Sequence, residues 1–115
     1  LLRASGEHSG NEIDLASVVG QGDGDGGIPD GALLIRFAEA SIGGDETALS
    51  AARSEILDTL GPPALVDAAA IVGAFNALDR VADSTGIPID EERLAPTAAF
   101  RDQLGINDFP SRQTQ

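Results

Sequence analysis

The 115-residue chain has no cysteine, methionine, tryptophan, tyrosine or lysine. Without cysteine it can form no disulfide, thiolate metal site or thiol nucleophile of its own. Aromatic content is 3%, in four phenylalanines, so any core is aliphatic and fine-grained, as between packed helices. Seven arginines against nineteen acidic residues leave a net charge of −12. That balance opposes nucleic acid, whose binding rests on neutralising phosphates. It also opposes an anionic membrane surface. No run approaches the ~20 apolar residues of a membrane span. A basic-then-apolar leader is absent, and the expected location is the cytoplasm. The chain opens on Leu1, a start compatible with residues upstream.

What is present is organised around Pro62 to Asp90. Pro62 and Pro63 suit the first helical positions, Gly86 suits a left-handed helix end, and Pro88 prevents resumption. Such a helix is roughly 33 Å long. At 100° per residue, Ile71, Phe75, Leu78 and Ala82 share one stripe. A neighbouring stripe is mostly small: Ala70, Gly73, Ala74, Ala77 and Val81. The third sector is apolar early (Leu65, Ala68, Ala69, Val72) and polar late (Asn76, Asp79, Arg80, Asp83). The first half is expected to be buried on all sides, and the second to have one wet face.

Upstream, Asn11 can cap a short helix over Glu12–Val19, with a strand as the alternative. Residues 20–31 are half glycine and read as a flexible linker. Asp30 is a candidate cap for a helix from Gly31 to about Ile42, with Leu33, Leu34, Phe37, Ala38 and Ser41 on one face. Asp45 caps another from Glu46 to Leu60, with Leu49, Ala52, Ile56 and Leu60 in line and Ala48 and Leu57 beside them. Short glycine-containing turns favour antiparallel neighbours. After Gly86 an extended segment is expected, with Pro96 opening a last helix to Leu104 that points Ala99, Phe100 and Leu104 inward. Ile106 and Phe109 would anchor a closing loop. The domain reading is 1–31 as a loose or helical segment plus linker, 32–109 as a helical domain, and 110–115 as a disordered tail. The fold class is all-α, a small antiparallel helical bundle.

The residues that could carry chemistry are few. Asp23 and Asp25 invite a calcium loop, but counting from Asp23 puts Gly27, Ile28 and Leu34 at positions 5, 6 and 12, so the register fails. The glycines at 22, 24, 26 and 27 lack a GK[ST] sequel, and acidic neighbours would repel phosphate. His8 is the only histidine and has no partner set in its surroundings. No metal or cofactor is expected. The candidate site residues are Asn76, Asp79, Arg80 and Asp83. Arg80 could bind a carboxylate, and Asp79 or Asp83 could move a proton.

From Leu33 to about Asp90 the chain resembles the C-terminal part of the carboxymuconolactone decarboxylase and alkylhydroperoxidase D-like superfamily. The similarity lies in Phe75-Asn76, in Arg80, Ala82 and Asp83, and in Gly86, Pro88 and Asp90. It implies an all-helical, oligomer-forming fold. The thiol peroxidase branch uses a Cys-x-x-Cys pair with a nearby His and an acidic relay, and no residue here receives the cysteines. The implied protein is therefore a non-catalytic or accessory homo-oligomer and not a thiol peroxidase. The alternative is a cysteine-independent lyase or decarboxylase acting on a small organic acid through Arg80 and Asp79 or Asp83. A third reading makes residues 1–19 a docking segment freed by the linker.

Overall fold

The computed structural model describes residues 6, 8, 10, 13–19 and 24–108, the side chain of Val18 excepted. They form four α-helices: α1 Gly31–Gly43, α2 Glu46–Thr59, α3 Pro62–Thr85 and α4 Glu91–Gln103. Two single 3-10 turns, Ser17–Val19 and Ile106–Asp108, are also present, and Gly6 and His8 are helical. Among the described residues there is no strand, and the all-α expectation holds. The chain divides into two compact units, Leu1–Phe75 and Asn76–Gln115.

The first unit is built on a helical hairpin. The Asp45 carboxylate accepts from the Thr47 and Ala48 amides at 2.9 and 3.1 Å, which satisfies two donors that α2 would otherwise leave open. Gly44 ends α1 with a positive φ of 78° and turns the chain back. Leu33 and Phe37 of α1 then bury against Ala52 and Ile56 of α2. Ile56 is fully enclosed. Leu34, Leu49, Leu60, Ala64, Leu65, Ala68 and Val72 pack around this core, half-buried. Heptad-like spacing on both helices placed most of these residues correctly. Ala40, buried on α1, lay outside the expected face. Ser41, Ala48 and Leu57 are exposed.

Three features of this unit differ from expectation. The helix expected over Glu12–Val19 is reduced, in its described part, to the 3-10 turn Ser17–Val19. Asp14 is the cause. Its carboxylate accepts from the Ala16 amide at 2.9 Å, and its own amide donates to the Gly26 carbonyl at 3.0 Å. Local side-chain bonds of this kind compete with the helix. The expected linker is joined by local hydrogen bonds over residues 25–31. There Asp25 accepts from Gly27, Ile28 donates to Asp25, and Gly31 donates to Ile28. The remaining linker residues, 20–23, and the cap candidate Asn11 lie outside the described residues. Third, Asp30 stands before α1 at φ 56° and makes no side-chain capping bond. The backbone turn from Asp25 fixes the start of α1 instead.

The long helix runs Pro62–Thr85 as expected, 24 residues or about 36 Å. It ends in a Schellman motif. Gly86 takes φ 64°, Ile87 donates to the Ala82 carbonyl at 3.1 Å, and Gly86 donates to Asp83 at 3.4 Å. Its burial is the main correction. No residue of α3 is buried, and the apolar first half is not covered on all sides. The hairpin supplies only enough surface to half-cover Ala64, Leu65, Ala68 and Val72.

In the second unit the last helix begins at Glu91, not at Pro96. Acidic Glu91 and Glu92 occupy its first turn, where the helix dipole favours them. Pro96 sits inside and removes one backbone donor. The Thr97 hydroxyl donates to the Arg93 carbonyl in the turn that Pro96 disturbs. Arg101 donates to the Leu94 carbonyl at 2.9 Å and to Asn107, which in turn donates to Asp102 at 2.7 Å. Leu104 is buried and Phe100 half-buried, while Ala99 faces solvent. Ile106 is half-buried in the closing 3-10 turn; Phe109 and the tail 110–115 lie outside the described residues.

Candidate functional site

The four polar candidates occupy consecutive turns of α3, all beyond Phe75. A residue four positions on lies one turn above, and this spacing places Arg80 over Asn76. The Arg80 Nε donates to the Asn76 side-chain oxygen at 2.7 Å. Asn76 is half-buried; Asp79, Arg80 and Asp83 are exposed. The Asp79 and Asp83 carboxylates engage no partner among the described residues. The fold thus joins one pair of the predicted set and leaves the two acids in solvent. The Arg80 Nε is satisfied by a neutral amide, and neither carboxylate bonds to it. Ser84 and Thr85 turn their hydroxyls back onto the Arg80 and Val81 carbonyls and add no reactive group. His8 is exposed. Among the described residues no group of three His, Cys, Asp or Glu side chains is placed to hold a metal ion.

A concave surface lies elsewhere, between α1 and α2. It is a groove of about 330 Å³ lined by Arg36, Glu39 and Ala40 from α1 and by Ala48, Ala51, Ala52 and Glu55 from α2. Its floor is alanine because small residues recur at helical spacing on α2 (48, 51, 52), where they meet Ala40 across the hairpin. At one end Arg36 Nη2 donates to both Glu55 carboxylate oxygens, at 2.8 and 2.9 Å. This ion pair is half-exposed. It couples the two helices across the groove and neutralises its own charges. The sequence reading passed over the groove, although the i, i+3, i+4 run of small residues was its visible signal.

The converse surface is on α3. Within the first unit Val66 is 66% exposed, Ile71 60% and Phe75 57%. On the part of α3 in the second unit, Leu78 and Val81 are also exposed. Large apolar side chains left half or more in water on one helix mark an interaction surface more often than a tolerated defect.

Fold and surfaces together define an all-helical protein built on a helical hairpin, with an alanine-floored groove and an uncovered apolar helix face. Compared with family models, with curated proteins and with solved structures, the chain matches none. Among the described residues no helix is long and apolar enough to cross a membrane.

Proposed function

We propose that the protein is a non-catalytic or accessory homo-oligomer of the carboxymuconolactone decarboxylase-like type, which it resembles over Leu33 to Asp90. One observation supports this reading above the others. The longest helix has no fully buried residue, and its Val66, Ile71, Phe75, Leu78 and Val81 stand in solvent. Exposed apolar area is favourable to remove from water at about 25 cal/mol per Å². A helix with this many uncovered side chains therefore gains by acquiring a partner. The solvated Asp79 and Asp83 and the Asn76-bound Arg80 give a lyase no assembled acid–base pair.

Sedimentation velocity over a hundredfold concentration range tests the proposal. The expected result is a species larger than 11.7 kDa that dissociates on dilution. A monomer at all concentrations would overturn it.

A further inference from the structure

We propose that α3 binds a basic amphipathic helix of another protein along the row Asp67, Ile71, Phe75 and Asp79, a partner additional to the copies of the oligomer reading. α3 is one unbroken helix, so residues four apart stand one turn above another on its surface. Along this row come an acid, two large apolar side chains and a second acid. All four are exposed. From Asp67 to Asp79 the row rises about 18 Å.

Charge decides what can cover it. Neither carboxylate has a hydrogen-bond or ion-pair partner among the described residues. Arg80 is the one cation of α3, but it is bonded to Asn76 and projects about 140–180° round the helix from Ile71 and Phe75. A second copy does not fit this row. Laid antiparallel, Asp67 would face the second copy's Asp79; laid parallel, each acid would face its own counterpart. Like charges opposed at an interface repel, and a net charge of −12 adds to the repulsion. The same charges attract a cationic partner. The fitting occupant carries two apolar side chains four residues apart, with Lys or Arg four residues outside each. Such a helix seats its apolar pair on Ile71 and Phe75 and brings a cation to each carboxylate at the rim. Val66 and Val81 lie about 80–180° round α3 from the apolar pair and remain for contact between copies.

A labelled synthetic peptide tests this by fluorescence anisotropy: an alanine-based helix with two leucines four residues apart and a lysine four residues outside each. It should bind saturably, and at least about tenfold more tightly than the same peptide with glutamates for lysines or with the leucines moved off the row. Phe75→Ser should weaken binding about tenfold. Asp67→Asn with Asp79→Asn should do the same and remove most of the dependence on salt. Glu39→Gln with Asp58→Asn removes as much charge elsewhere and should leave binding unchanged. All five positions are exposed, so circular dichroism should show unchanged helicity. If no peptide binds, if the control peptides bind as well, if F75S has no effect, or if E39Q/D58N weakens binding as much as D67N/D79N, the row is not the site. Sedimentation of the protein alone decides the oligomer reading separately.

Discussion

At Gly31 the absence of a side chain is a steric requirement. A Cβ there would lie 1.8 Å from the Asp25 carbonyl oxygen and 2.8 Å from its carbon, both backbone atoms. Gly31→Ala must push the 25–30 turn off the start of α1. The expected loss of stability is about 2 kcal/mol or more. Gly73 is the opposite case, since nothing lies within 4 Å of its missing Cβ. Gly73→Ala should raise stability by about 1 kcal/mol through helix propensity alone. It should leave binding of the basic peptide unchanged, because Gly73 lies about 160° around the helix from Ile71 and Phe75. Urea denaturation of the two variants gives both signs. Neither glycine's role was legible in the sequence. Gly73 stood out only as one of a stripe of small residues, and Gly31 as one of the linker glycines. Proximity to Asp25 depends on how the intervening turn folds, which no local pattern states. At the candidate site the i, i+4 link from Asn76 to Arg80 followed from spacing. Whether Asp79 and Asp83 would be covered depended on neighbours that spacing does not reveal.

Helix ends were the most readable elements. Asp45, Pro62, Gly61 and Gly86 each carry a backbone requirement in their own chemistry, and α2 and α3 start where those residues place them. Asp45→Ala removes the carboxylate oxygen that accepts from two amides at the start of α2 and should cost about 1 kcal/mol, seen as a lower denaturation midpoint with an unchanged slope. Where side chains could bond locally, the reading failed. Asp14 lies within the helix expected over Glu12–Val19 and forms a turn there instead. Pro96 looked like a helix opener, yet five helical residues precede it, opening on the acidic Glu91 and Glu92, and Thr97 serves the carbonyl in its disturbed turn. Burial of α3 was misjudged for a different reason. An apolar helix face shows that something should cover it, and does not show that the same chain is long enough to do so.

For the whole molecule, charge and apolar surface pull in opposite directions. A net charge of −12 opposes contact between copies, while burial of the uncovered side chains of α3 would favour the proposed association. Salt weakens the first and spares the second. The Debye length falls from about 10 Å at 0.1 M to about 3 Å at 1 M. Association should therefore tighten as sodium chloride is raised over that range, by roughly tenfold for each 1.4 kcal/mol of repulsion removed. Sedimentation at the two salt concentrations measures it. Dissociation by salt would mean that ion pairs hold the copies together instead.

The order of the hairpin and α3 along the chain has a consequence for synthesis. Residues 33 to 56, which hold the hairpin core, leave the ribosome before residues 64 to 72, which half-cover it. Chains emerge at about 5–20 residues per second. For about a second, each nascent chain carries a hairpin core that α3 does not yet cover.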